Sequence, residues 1–230
     1  MLRLVGVQAS RISPFSNDES ALSAMLKQAH VDLILDVGAN IGQYAKQRMA
    51  TGYTHRIVSF EPLSAARAIL LSEAARYPNW DVADQCALGE HDGTVTLHIA
   101  GDSRASSVLS ATKAHLQFSP DAIEVATEIV NIARLDKVAQ PFIEKSRSPF
   151  LKIDVQGFED QVLRGSTEIL PKLIGLQLEL SFIPIYHGQK LFLEMLSMIS
   201  GMGFTLHRMV PAWIEHETGR WLQADGIFFR

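Results

Sequence analysis

Runs of mostly apolar residues of strand length recur along the chain: LILDV (33–37), RIVSF (56–60), WDVADQCAL (80–88), FLKIDV (150–155) and IGLQLEL (174–180). Continuous apolarity over so few residues predicts strands buried on both faces, as in a parallel sheet covered by helices. Segments of helical periodicity alternate with them at 42–50, 63–77, 135–145 and 160–170, which predicts an α/β fold with a doubly wound, mostly parallel sheet. Before the first run, Ser16 and Glu19 stand in capping-box spacing and Leu22, Met25, Leu26 and Ala29 follow at helical intervals. Residues 1–30 are thus expected to form a helical extension, and 31–230 a single domain. Near the end, 204–210 and 224–230 are strand-like and face each other across 211–223, so they are expected to close the sheet as a hairpin.

One stretch breaks this alternation. Residues 89–134 hold a turn (EHDGT), an alternating run (TVTLHIA), a loop of small residues (GDSRASSVLS) and a second strand-like run (TEIVNIA). The pattern predicts a β-hairpin insertion between strands 3 and 4 of the same domain.

Composition narrows the function classes. With 21 basic and 25 acidic side chains the formal charge is −4, and no long Lys/Arg run offers a surface for nucleic acid. Cys86 is the one cysteine, which leaves no internal disulfide and no thiolate-rich zinc site. The eight histidines show no H-E-x-x-H or similar spacing, so no metal is expected. Nothing resembles a signal peptide or the run of about 20 apolar residues that a membrane span needs. A soluble, cytoplasmic protein is the expectation.

The chemistry concentrates where the first strand ends, in DVGANIG (36–42). In an open α/β sheet the loop after the first strand borders the crevice at the carboxyl edge, where ligands bind. Gly38 and Gly42 let backbone approach a ligand closely, and Asn40 tolerates a left-handed conformation. Asp36 could accept hydrogen bonds from the loop's own amides or attract a cationic ligand group. The alternative is a plain strand-to-helix turn. A nicotinamide fingerprint counted from Gly38 needs glycines at 40 and 43, where the chain has Asn40 and Gln43. Glu61 ends the second strand 19 residues past Gly42, where a carboxylate can accept ribose hydroxyls. These features predict an adenosine-containing ligand without a pyrophosphate.

DVGANIG, FEP (60–62), ALGEHDG (87–93) and KIDVQGFEDQVLRG (152–165), in this order, resemble the FkbM-type S-adenosylmethionine-dependent methyltransferases of the class I methyltransferase superfamily. The resemblance spans about residues 31–230, and KIDVQGFE is its most specific part. It implies a seven-stranded Rossmann-like sheet, S-adenosylmethionine as cofactor and O-methylation of a hydroxyl on a sugar, polyketide or related small metabolite. Many relatives have Glu where this chain has Gln156.

On this reading Asp36, Gly38, Asn40, Gly42, Glu61 and Pro62 bind the cofactor, Cys86 and Ala87 form the adenine slot, and Asp154 lies near the transferred methyl. For Cys86 and Ala87 the alternative is core packing, and for Asp154 a helix cap. Proton removal from the acceptor has three candidates: Asp154, Glu179 at the end of the fifth strand, and His187 in the loop after it. Ser103, Arg104, Ser106 and Ser107 could bind a polyhydroxylated acceptor, or form a solvated loop. A nicotinamide-dependent oxidoreductase and a silent cofactor-binding scaffold are the competing functions.

Overall fold

In the computed structural model, which describes residue 15 and residues 17–230, the apolar runs pair into two sheets. The larger has seven strands: β1 (Leu33–Val37), β2 (Arg56–Phe60), β3 (Trp80–Val82), β7 (Pro149–Ile153), β8 (Gly175–Ser181), β9 (Thr205–Ile214) and β10 (Trp221–Phe229). Their order is β3-β2-β1-β7-β8-β10-β9. The first five are parallel, and β10 runs antiparallel to both β8 and β9. The expected terminal hairpin is therefore present, and its strands extend well into the stretch read as a connection. Strand order reverses beside β1, so the crevice opens over the carboxyl ends of β1 and β7.

Helices cover both faces. Helices α1 (Asp18–Gln28), α2 (Gln43–Ala50) and α3 (Ser64–Ala74) lie on one side, where Leu22, Leu26, Ala45 and Leu70 pack with Ile34, Ile57 and Phe150. Helices α5 (Leu135–Ile143), α6 (Glu159–Arg164) and α7 (Phe192–Gly201) lie on the other, where Leu135, Val162 and Ile199 pack with Leu35, Val58, Leu151 and Leu178. The alternation of β1 between the two clusters is the period-2 geometry of a strand buried on both sides. Asn17 caps α1, its side chain accepting from the Ser20 N–H. Ser16, the expected cap, lies outside the described residues, as do residues 1–14 of the expected extension.

Two expectations are corrected. Residues 80–88 do not form one strand: β3 ends at Val82, and β4 (Ala87–Leu88) belongs to a second sheet of order β4-β6-β5. Between them Gln85 leaves the main sheet to donate its amide to Pro62 O. The inserted segment supplies the other strands of that sheet, β5 (Gly93–Ala100) and β6 (Glu124–Ala133), paired antiparallel. Their connection, 101–123, carries short 3₁₀ turns and helix α4 (Lys113–Phe118), so the segment is not a simple hairpin. Helices α4 and α7 were not foreseen, although Phe192, Met195, Leu196 and Ile199 carry the spacing of an amphipathic helix. Among the described residues no helix is long and apolar enough to cross a membrane.

Gly42 closes the loop after β1 in the left-handed region, at φ +86°, and begins α2. A Cβ there would stand 2.3 Å from the Trp80 ring. Gly42→Ala combines a disfavoured backbone with a collision against a buried indole, and should cost about 1–3 kcal/mol of unfolding free energy. A urea midpoint equal to that of the wild type would show that Trp80 moves aside freely.

Candidate functional site

The loop after β1 satisfies its own amides. Gly38 and Ala39 N–H both donate to Phe60 O, Asn40 N–H to Glu61 Oε2 at 2.7 Å, Ile41 N–H to Asn40 Oδ1 and Gly42 N–H to Ala39 O. Gly38 has φ +77°, and a Cβ on it would lie 1.8 Å from Asp154 O, so the loop is pressed against the end of β7. Asn40 takes the left-handed conformation expected of it, at φ +48°. Glu61, only 4% exposed, also accepts from Leu63 N–H at 2.8 Å. Burial pushes its pKa up to about 7 although the Leu63 and Asn40 amides favour the charged form.

Beneath the loop a polar row crosses the sheet on the α1/α2 side. Ser59, Asp36, Lys152 and Gln177 are register neighbours on β2, β1, β7 and β8. The Asp36 carboxylate is fully buried, accepts from Ser59 Oγ at 3.0 Å and stands 3.2 Å from Lys152 Nζ. Lys152 also donates to Gly38 O at 3.2 Å and lies 3.5 Å from Asp154 Oδ2. Burial works against the ammonium, but Asp36 and Asp154 outweigh it and raise the Lys152 pKa above the ordinary lysine value. Trp80 Nε1 donates to Ser59 Oγ at one end of the row, and Tyr44 OH donates to Gln177 at the other. Asp36 thus serves neither sequence-based role: it bonds none of the loop amides and does not reach the cavity, and the cation it holds is Lys152.

One step along the strands, carboxylates gather. Glu179 of β8 is the register partner of Asp225 on β10, and Asp154 follows β7. Gln156 Nε2 donates to Asp154 Oδ1 at 2.6 Å and lies 3.3 Å from Glu179 Oε2, which also accepts from Gln223 Nε2 at 2.6 Å. Burial, then the nearby Asp154 and Asp225, hold the Glu179 carboxyl well above the usual carboxylate range. Burial and Asp154 push Asp225 up to about 6.

A cavity of about 340 Å³ opens between these groups, within the usual size of a small-molecule site. Of the sequence candidates, Gly38, Asn40, Glu61, Pro62, Cys86, Ala87, Ser103, Arg104, Ser106, Ser107 and Asp154 line it. Asp36 and Gly42 lie outside the lining, and Glu179 stands behind Gln156. His187 is exposed on the chain beyond β8 and outside the cavity, so it does not join Asp154 and Glu179. Burial raises the Cys86 thiol pKa, as for a packing residue beside an apolar slot.

The serine loop is partly committed to structure. Ser107 donates to Gln156 O at 2.7 Å and accepts from Leu109 N–H, Ser106 Oγ accepts from Ala100 N–H, and Ser103 Oγ accepts from Asn40 Nδ2. Arg104 makes an ion pair with Asp102. Lys152, Gln156, Gln177, Tyr44 and Asp225 also line the cavity and were not among the candidates. For Lys152 and Gln177 a signal existed: a polar residue at the same depth of each apolar run. For Tyr44 and Asp225, on α2 and β10, no comparable spacing marks the position.

The Methyltransferase FkbM domain family matches residues 36–206. The crystal structure of Methyltransferase FkbM from Methylobacillus flagellatus KT is similar in fold, with TM-score 0.51 and 17% identity over 87% of this chain and 44% of that one. This chain therefore spans less than half the length of that protein. An S-adenosylmethionine-dependent methyltransferase from Mesorhizobium loti superposes with TM-score 0.52 and 10% identity over 95% of this chain and 100% of that one. Magnesium protoporphyrin IX methyltransferase from Synechocystis PCC 6803, with bound SAM, gives 0.50 and 8% over 97% and 86%. No curated protein matches the chain. The family match covers most of the chain, from the acid at the end of β1 to the start of β9, and the chain belongs to the FkbM methyltransferase family.

Proposed function

We propose that the protein transfers a methyl group from S-adenosylmethionine to a hydroxyl of a sugar, a polyketide or a related small metabolite. The observation that carries the cofactor reading is the pairing of Glu61 with a loop whose amides are all used. Residues 38–42 donate every backbone N–H to a protein acceptor, which leaves no cradle for a pyrophosphate and counts against a nicotinamide cofactor. Glu61 keeps free lone pairs at the cavity wall, as ribose hydroxyls require. Pro62, Cys86, Ala87 and Leu88 offer an apolar slot beside it for adenine. The residues fit an adenosyl ligand, and Gly38, Asn40 and Asp154 would hold the rest of it.

Bound S-adenosylmethionine supplies an activated methyl for in-line displacement by a nucleophile. The chain's own task is to exclude water, align the acceptor and take its proton. Asp154 is the base we favour. It lines the cavity, its side chain is 41% exposed, and Gln156 and Lys152 hold it in place. Glu179, with its raised pKa and its place behind Gln156, supports Asp154 rather than replacing it. His187 is withdrawn from the set. The 103–108 loop faces the acceptor side, where its free donors suit a polyhydroxylated molecule.

Titration calorimetry should show S-adenosylhomocysteine binding and no response to NAD, and Glu61→Gln should weaken binding by about 1–3 kcal/mol, the range for a hydrogen bond to a charged group. NAD binding in place of S-adenosylhomocysteine would overturn the cofactor reading.

Affinity should also depend on pH. Burial pushes the Glu61 pKa up to about 7, and ribose donors would favour its charged form. Affinity should therefore rise with pH through that region and level off above it, with a proton released on binding near pH 7. Glu61→Gln should flatten this dependence; a slope that survives the substitution would belong to another group.

Tritiated methyl transfer across a panel of sugars and polyketide-like metabolites tests the acceptor class. With an accepted substrate, Asp154→Asn should slow single-turnover transfer by about 100-fold, well beyond any loss of S-adenosylhomocysteine affinity. A wild-type rate would remove Asp154 as the base.

A further inference from the structure

Gln156 occupies a conformation that residues with a side chain rarely adopt, at φ +58°, in the turn between β7 and α6. Every polar group of its side chain is engaged. Nε2 donates to Asp154 and faces Glu179, and Oε1 lies 2.9 Å from Tyr186 OH. Its backbone carbonyl accepts from Ser107 Oγ. Tyr186 OH, on a side chain only 1% exposed, also lies 2.9 Å from Ala105 O. Its single proton serves one of these two acceptors at a time, which links the tip of the 103–108 loop to Gln156.

We infer that Gln156 is a positioning residue: its neutral amide holds the neighbouring carboxyl groups of Asp154 and Glu179 side by side, and its carbonyls anchor the loop that borders the acceptor side of the cavity. The inference rests on the proposed methyl transfer for its purpose, but not for its geometry. In this chain, where many relatives carry Glu, the amide suits its neighbours. It donates to two carboxylates without adding charge, where a carboxylate would bring a third negative group against them and an apolar side chain would leave them facing each other unbridged. The charged and titratable groups around it are Lys152 from β7 and Asp154 just after it, Asp36 from β1, Glu179 from β8, Asp225 from β10, Glu159 from α6, and Tyr186 with Asp102 and His115 beside it. Lys152 is the one cation among them, and it already sits between Asp36 and Asp154.

Thermal melting of the full chain at pH 5 and pH 8 tests the bridge. Gln156→Glu should melt close to the wild type at pH 5 and several degrees lower at pH 8, because the added carboxyl stays protonated in the fold only at the lower pH. Gln156→Leu, which leaves the two carboxyl groups unbridged, should lose stability at both pH values. Adding Asp154→Asn to Gln156→Glu re-creates one amide facing one carboxylate with the partners exchanged, and should restore most of the loss at pH 8. A side chain that merely fills space gives no such rescue. Equal losses at both pH values for Gln156→Glu, failure of the second substitution to restore stability, or a double variant that does not fold would each overturn the inference. Hydrogen exchange supplies an arm free of charge effects: in Gln156→Leu the amides of 101–110 should exchange about tenfold faster, since their anchor is loosened. Unchanged exchange would overturn the loop anchoring. S-adenosylhomocysteine binding by the wild type is measured alongside, and because Gln156 lines the cavity its variants are judged by melting and exchange. Absence of binding by the wild type would instead sink the cofactor reading, and would leave the melting and exchange results to judge Gln156.

Discussion

The Asp36–Lys152 ion pair is the constraint on which the site depends. Two charges at the centre of a parallel sheet are costly to desolvate, and they persist only where each has further partners. Here Asp36 has Ser59, and Lys152 has Gly38 O and Asp154. The pair thereby ties three things into one unit: the central strand, the loop that follows it, and the carboxylate at the end of β7. Gly38 makes that connection possible, because any Cβ would collide with Asp154 O and push the loop off the strand end. A cavity built on such a unit is rigid at the junction of the loop after β1 and the proposed base.

Much of the fold was legible because burial on both faces leaves a plain trace. β1 and β2 coincide with their apolar runs, and β7 and β8 differ from theirs by one or two residues. The same apolar reading hid what matters most about the strands. LILDV, RIVSF, PFLKI and GLQLELS each carry a polar residue among the apolar ones, and the parallel register aligns Asp36, Ser59, Lys152 and Gln177 into a row. Register is a tertiary fact. No single run reveals that its polar residue has a partner on the next strand, so Lys152 read as part of an apolar strand and Asp36 as a residue reaching for the ligand. The break after Val82 was hidden for a like reason: Gln85 leaves the sheet for Pro62 O, a contact across distant sequence.

The candidate site divides along the same line. Features set by local backbone were legible in the sequence: Gly38, Asn40 and Gly42 take left-handed conformations, and Glu61 stands where the second strand ends. Residues placed by the fold were found less well. His187 stood near Glu179 in sequence, yet β8 ends before it and the chain carries it to the surface, while its neighbour Tyr186 turns inward to Gln156. The serines of the inserted loop reach the cavity as expected, but Ser106 and Ser107 spend hydrogen bonds on holding the loop in shape.

The balance of charge explains why glutamines recur in this region. Asp36, Asp154, Glu179 and Asp225 lie along one face of the sheet near its carboxyl edge, with Lys152 as the one ammonium between the strands. A second lysine would neutralise the surplus, but it would also compete for the Asp154 carboxylate that lines the cavity. Gln156, Gln177 and Gln223 avoid that conflict. Each brings an amide donor to a carboxylate, at Asp154 and Glu179, at Asp225, and at Glu179 again, while the net negative character of the wall remains. Such a wall favours positive charge in the cavity and keeps a carboxylate available to accept a proton. Both properties suit the proposed methyl transfer, and they follow from the choice of amides over ammonium groups at Gln156, Gln177 and Gln223.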